Sequence, residues 1–290
     1  MRETAMGIDL RITPVRPGLA AQHLAGEVES ERYSEGVARQ IVVGAAPLRA
    51  SADAGSRLDT ELLFGELFTV YDIKEFWAWG QAGHDSYVGY VPVEALGPVG
   101  GAPTHRIGAL ASHLYAEPEI KAPIVTRLSL AARVRVVSGG SRFAEIEHAG
   151  QHAYVPLKHL APIASYTDDY AGAAERFVGV PYLWGGRTSA GADCSGLVQT
   201  ALAQAGIVAP RDSDQQCAWS GANGTGVSPS EMTRGDLIFW GGHVAIAVDA
   251  ARIVHANGSA MAVSIDVLGE FAARVEAADG PILAIHRLRR

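Results

Sequence analysis

The chain has little cysteine. Only Cys194 and Cys217 occur in 290 residues. Two are too few for a disulfide framework, and they leave room for a reactive thiol. HExxH and CxxC spacings are lacking as well, so neither a metal site nor a cofactor is expected. No extended lysine- or arginine-rich run occurs, and the formal net charge is −7. A nucleic-acid partner is therefore not expected. No stretch approaches the ~20 apolar residues of a membrane span, so a membrane partner is not expected either. The opening MRETAMGIDLRITPVRPGL lacks the apolar core and the small-residue cleavage pattern of a secretion signal. The expected location is the cytoplasm.

What is present suits packed cores, with 48% apolar and 19% charged residues. The length exceeds one ordinary domain and points to two or three. Residues 1–35 read as an N-terminal arm, with a short helix over residues 20–29. From residue 40 the pattern changes to short β-rich runs, at 40–43, 66–71, 76–81 and 87–92, separated by Gly, Asp and Ser. Tyr90-Val91-Pro92, followed by Leu96 and Pro98, recurs 64 residues later as Tyr154-Val155-Pro156, followed by Leu160 and Pro162. The linker from Gly97 to Pro103 separates the copies. Two small β modules, residues 36–98 and 104–164, are therefore expected. Their size, Trp77, Trp79 and the Tyr-Val-Pro endings resemble bacterial SH3-type domains.

Beyond residue 164 the texture turns to mixed α and β, and residues 165–290 read as a further domain. A helix is expected over 169–178, stopped near Gly179 and Pro181. A second starts at Cys194, with Leu197, Val198, Ala201 and Leu202 on one face and Gly206 as its stop. Strands are expected at 236–240, 243–248 and 252–256, and a last apolar run, 281–288, should close the sheet.

The densest chemistry lies in Val180-Pro181-Tyr182-Leu183-Trp184-Gly185-Gly186 and Asp193-Cys194-Ser195-Gly196. A thiol opening a helix sits among unpaired N–H groups at the positive end of the dipole, which favours the thiolate. The same N–H groups could hold an oxyanion. The competing reading is a small buried residue starting a helix. His243 opens the strand His-Val-Ala-Ile-Ala-Val, on one face with Ala245 and Ala247. His255 follows on the next strand, where a hairpin would set it beside His243. A thiol, a base and an orienter are the parts of nucleophilic acyl chemistry.

The order PYLWGG, DCSG, GDLIFWGGHVAIAVD and IVHANG resembles the NlpC/P60 family of cysteine peptidases, over roughly residues 169–288. The resemblance implies an α+β fold: a papain-like domain, with the nucleophile helix packed on an antiparallel sheet, preceded by two SH3-like β-barrels. By position it implies Cys194 as nucleophile, His243 as base, His255 as orienting residue and Tyr182 as an aid at the oxyanion site. It further implies a cell-wall peptide as substrate, cut between D-glutamate and a diamino acid. In the branch with two SH3-like modules it implies a free N-terminal L-alanine, with L-Ala-γ-D-Glu released during peptidoglycan recycling.

The resemblance assigns substrate contacts too. A free amine needs a carboxylate, and Asp193, next to Cys194, is the local candidate, with Ser195 as a hydrogen-bonding neighbour, although Asp193 also reads as a plain helix N-cap. Arg211 and Ser213 would meet the α-carboxylate of D-glutamate. Glu61 and Tyr87 of the first module would join the amine pocket. Gln215 and Gln216 match a further family position, and Cys217 receives no role. The alternatives are a Cys–His amidase or acyltransferase on the same fold, and a catalytically silent module that binds cell-wall peptides.

Overall fold

The computed structural model describes residues 7–289. They divide into two units, with the boundary between Ile163 and Ala164.

In the first unit an antiparallel seven-stranded sheet runs in the order Leu96–Gly97, Val37–Ile41, Leu67–Lys74, Trp77–Ala82, Val88–Pro92, Ala45–Arg49 and Leu58–Leu63. Period-two alternation turns Ala46 and Leu48 inward, onto a core with Ile41, Leu62, Phe68 and Val91. A second barrel is built from Ala111–Tyr115, Ile124–Ser129, Val136–Gly139, Phe143–His148 and Gln151–Pro156, with a small sheet of His105–Ile107, Arg133–Val134 and Leu160–Pro162.

The repeat seen in the sequence is a repeat of structure. Each Tyr-Val-Pro strand runs into a 3₁₀ turn, Val93–Ala95 or Leu157–His159. The prolines start those turns with φ of −58° and −59°, the value their rings impose. The barrels share a core, however. Leu63 and Phe64 of the first pack with Ile107, Leu114, Leu128 and Val155 of the second. The Arg133 N–H also donates to the Phe64 carbonyl at 2.8 Å.

The N-terminal segment differs from the expected arm. Met1 to Met6 lie outside the described residues, but Leu19, Ala20, Ala21, Leu24 and Val28 are buried against Tyr71, Trp79 and Val88 of the first barrel. Instead of a helix over 20–29 there are short strands, Leu19–Ala21 and Tyr33–Ser34, around a single 3₁₀ turn, Gln22–Leu24. Burial of consecutive residues on an existing barrel outweighs weak local helix preference. Arg16 fastens the segment, stacking 4.6 Å over the Trp79 ring and pairing with Asp72.

The second unit is the expected α+β arrangement. Its antiparallel sheet runs Gly224–Gly226, Ala284–Leu288, Leu237–Trp240, His243–Ala247, Arg252–Asn257 and Ala262–Val267. Helix α1 spans Tyr170–Glu175, capped by the Asp169 carboxylate on the Gly172 N–H at 3.0 Å. It is shorter than expected because the Gly179 N–H is drawn to the Val263 carbonyl at 2.9 Å, taking the chain to the edge strand. Helix α2, Cys194–Gln204, packs on the His243 and Arg252 strands. Helix α3 spans Ser213–Asn223 and α4 spans Leu268–Asp279. The last strand lies second from an edge, between Leu237–Trp240 and Gly224–Gly226, so it does not close the sheet.

Candidate active site

The approach to Cys194 is a tight loop that needs glycine. Leu183 N–H donates to the Ala192 carbonyl at 3.2 Å, and Arg187–Thr188 pairs with Gly191–Ala192. This folding drives the Gly186 carbonyl against the first turn of α2. A Cβ on Gly196 would lie 2.2 Å from that oxygen, so only glycine fits there. The Asp-Cys-Ser-Gly order thus has a steric cause at its last position.

Asp193 is the N-cap of α2. Its carboxylate accepts from the Gly196 N–H at 2.7 Å and the Gly185 N–H at 2.8 Å. Arg211 completes it as a two-pronged ion pair, 2.9 Å to Oδ1 and 2.7 Å to Oδ2, and also donates to Ser195 Oγ at 2.9 Å. Asp193 is 6% exposed and Arg211 1%. The three residues expected to divide between amine and carboxylate of a substrate are therefore brought together as one buried network, with Arg211 spent on Asp193. Ser213 stands apart from them as the first residue of α3, next to its N-cap Asp212. Gln216 is buried and ties α3 to α2, its amide donating to the Ser195 carbonyl and the Pro210 carbonyl at 2.9 Å. Gln215 supports the cap of α3 by accepting from the Asp212 N–H at 3.4 Å. Cys217, on α3, is a half-buried free thiol.

Cys194 is 7% exposed at the first position of α2. Backbone N–H groups of Val244 and Ser195 face its sulfur. The first places the thiol against the backbone one residue from His243. The helix terminus was expected to favour the thiolate. Here burial, joined by the Asp193 charge, pushes the thiol up to about 12, against those N–H groups and Arg211, which pull it down. Burial and then the neighbouring His255 hold His243 down to about 3. The resting pair is accordingly neutral thiol and neutral imidazole. Tyr182 is half-buried, its N–H on the Met261 carbonyl at 2.9 Å. Burial first, then the charges of Cys194 and Asp193, push its hydroxyl up to about 12, so it stays a donor at neutral pH.

The hairpin does what the sequence promised. His243 Nε2 lies 2.8 Å from His255 Nδ1. Three further residues at this end were not read from the sequence. His255 Nε2 lies 3.3 Å from Asp266 Oδ2, and Arg274 Nη2 donates to the same oxygen at 2.8 Å. The Phe271 ring stands 5.4 Å from His243 and 4.3 Å from His255, centre to centre. The small face of Ala245 and Ala247 is filled by Leu268 and Phe271 of α4.

Glu61 and Tyr87 belong to the first unit. Glu61 is half-buried on the strand Leu58–Leu63, opposite Pro47. Tyr87 is 4% exposed in the core of the first barrel.

A thiol at a helix N-terminus, set against the backbone one residue from a hydrogen-bonded pair of imidazoles on a helix-on-sheet domain, is an arrangement suited to nucleophilic acyl chemistry. Residues 179–274 match the NlpC/P60 family, and residues 48–96 match the bacterial dipeptidyl-peptidase Sh3 domain. The chain thus carries an NlpC/P60 cysteine peptidase domain preceded by an SH3-type domain. Over 242 residues it is 25% identical to the Gamma-D-glutamyl-L-lysine dipeptidyl-peptidase of Bacillus cereus, covering 72% of this chain and 70% of that protein. Over 126 residues it is 36% identical to the Bifunctional muramidase/DL-endopeptidase CwlT of Bacillus subtilis, covering 39% of this chain and 37% of that protein. The crystal structure of an NlpC/P60 family protein from Bacillus cereus superposes with a TM-score of 0.74 at 21% identity, over 87% of this chain and 99% of that one, which shows the shared fold.

Proposed function

We propose that this protein hydrolyses the bond between γ-D-glutamate and a diamino acid in peptides derived from peptidoglycan. The observation that carries the reading is the thiol of Cys194 set against the Val244 N–H, one residue from the linked imidazoles of His243 and His255. In the reaction His243 takes the thiol proton as the sulfur adds to the γ-carbonyl carbon. The carbonyl π electrons move onto oxygen, where the Cys194 N–H, which opens α2, and the Tyr182 hydroxyl are the donors at hand. Collapse breaks the carbon–nitrogen bond, and His243 returns its proton to the leaving amine. Water, deprotonated by His243, then cleaves the thioester and restores the thiol.

The substrate class follows the B. cereus and B. subtilis relatives, both named as Gamma-D-glutamyl-L-lysine dipeptidyl-peptidase. A requirement for free N-terminal L-alanine, release of L-Ala-γ-D-Glu and a cytoplasmic recycling role belong to the same proposal. They rest on the sequence resemblance, as do the amine contacts of Glu61 and Tyr87. The two-pronged pair with Arg211 leaves Asp193 little capacity for a substrate ammonium.

A silent binding module is disfavoured, because Cys194, His243 and His255 are all present and the two imidazoles are in hydrogen-bond contact. The test is product analysis of L-Ala-γ-D-Glu-diaminopimelate and of its lysine counterpart, with the protein and its Glu61→Gln variant. Release of L-Ala-γ-D-Glu supports hydrolysis. A transferred acyl product would favour the acyltransferase reading. A Glu61→Gln variant with unchanged KM would remove Glu61 from the amine pocket.

A further inference from the structure

We propose that Asp266, anchored by Arg274, is a positioning residue that fixes which nitrogen of each histidine carries the proton, and so leaves Nδ1 of His243 free to act as the base. The role is built on the proposed Cys194–His243 chemistry and adds residues to it.

Asp266 stands on the edge strand, opposite Ile253, with its Oδ2 at 3.3 Å from His255 Nε2. Arg274 Nη2 holds the same oxygen at 2.8 Å. Burial works to raise the Asp266 carboxyl, but hydrogen bonds from Arg274 and His255 outweigh it and keep the group below its ordinary range. An ionised carboxylate only accepts, so His255 Nε2 carries the proton. A neutral imidazole has one N–H, which leaves Nδ1 of His255 as an acceptor. Its partner at 2.8 Å is His243 Nε2, which must then be the donor. The lone pair of His243 is left on Nδ1, which takes no hydrogen bond among the described residues. Phe271 packs on both rings and holds the chain of contacts in place.

The opposite arrangement is built in beside it. The Asn257 side chain is oriented by the Ala260 N–H on its Oδ1 at 2.8 Å, which turns its amide toward Ser264 Oγ at 2.8 Å and His255 Nε2 at 3.2 Å. Two groups thus compete for Nε2: a carboxylate that needs a proton there and an amide that supplies one. The carboxylate, anchored by Arg274, decides the contest. Without its charge the Asn257 amide donates to Nε2, the His255 proton moves to Nδ1, and His243 is left protonated on the nitrogen needed for catalysis. An orienting carboxylate changed to an amide in a serine protease triad costs about 10⁴ in kcat through the wrong tautomer. Asp266 lies one ring further out; outer carboxylates that fix the tautomer of a metal-bound histidine contribute about 10- to 100-fold, and the same range is taken for this pair.

The experiment compares Asp266→Asn, Asp266→Glu and Arg274→Met with the parent protein. Nitrogen NMR of ¹⁵N-histidine-labelled protein at pH 7.5 reads the tautomers without any substrate. Steady-state kinetics on L-Ala-γ-D-Glu-diaminopimelate read the consequence. The expected result is Nε2–H on both rings in the parent and Nδ1–H in Asp266→Asn. In that variant kcat falls about 10- to 100-fold with KM within about twofold. Asp266→Glu recovers most of the activity, and Arg274→Met gives a smaller loss. Unchanged tautomers in Asp266→Asn, or equal losses in Asp266→Asn and Asp266→Glu, would overturn the proposal. If Asp266→Asn does not fold, Arg274→Met decides by the same two readings. A parent protein with the expected tautomers but no activity would count against the peptidase reading and leave the role of Asp266 standing.

Discussion

Replacing Arg211 by methionine removes the cation from a carboxylate that stays buried. Asp193 keeps its backbone donors, Gly185 and Gly196, but loses two charged hydrogen bonds at 2.9 and 2.7 Å. Breaking one side of a buried ion pair costs about 3–5 kcal/mol, because the remaining charge is left without its counterion. For a unit the size of residues 164–290 that corresponds to a fall in Tm of about 10–20 °C. The double variant Asp193→Asn, Arg211→Met removes both charges and keeps a side chain able to cap α2. It should recover at least half of the loss. Circular dichroism melts of the parent, Arg211→Met, Asp193→Asn and the double variant, at equal concentration and ionic strength, give the coupling directly. A loss below about 1 kcal/mol in Arg211→Met, or strict additivity in the double variant, would refute the reasoning. Either result would mean that the pair does not hold the nucleophile loop, and Arg211 would be freed for a substrate carboxylate.

Three further expectations follow from the site. A Gly196→Ala variant should lose about 1–3 kcal/mol and most activity, since its methyl meets the Gly186 carbonyl 2.2 Å away; unchanged melting would contradict the close approach. Tyr182→Phe should lower kcat by as much as about 100-fold with KM little changed, as removal of an oxyanion donor does, and kinetics from pH 6 to 9 check it. His255 is fully buried, and burial pulls it down to about 4 although Asp266 works against the shift. The unfolded chain therefore binds more protons between about pH 4 and 6.5. This stability is complete above pH 6.5 and lost as the pH falls toward 4, by about 2 kcal/mol at pH 5. Urea unfolding at pH 7.5 and 5.0 should show a smaller difference in His255→Gln than in the parent; an equal difference would refute the assignment.

The first barrel and the nucleophile hairpin were legible because their signals are local. The Tyr-Val-Pro repeat carries its own proline turn; a two-glycine turn pairs His243 with Trp240, and a second short turn at 248–251 brings the His255 strand back beside it. The N-terminal segment was not legible. Leu19, Ala20 and Ala21 are decided by the barrel surface they cover, which no local pattern announces. The edge strand Ala262–Val267 and helix α4 were missed for a similar reason. Asp266 and Arg274 look like ordinary exposed charges in the sequence, and only the pairing of Ile253 with Asp266 carries the carboxylate to His255. The state of Cys194 was misjudged from its position alone, since a helix terminus favours the thiolate only as far as burial allows.

The central claim is that Cys194 and His243 perform hydrolysis of a γ-D-glutamyl peptide. Mass spectrometry of L-Ala-γ-D-Glu-diaminopimelate tests it most directly, using the full chain, its Cys194→Ala variant and an N-acetylated copy of the peptide. L-Ala-γ-D-Glu and free diaminopimelate are expected from the parent protein alone, with the acetylated peptide left intact. Equal cleavage by Cys194→Ala would contradict it.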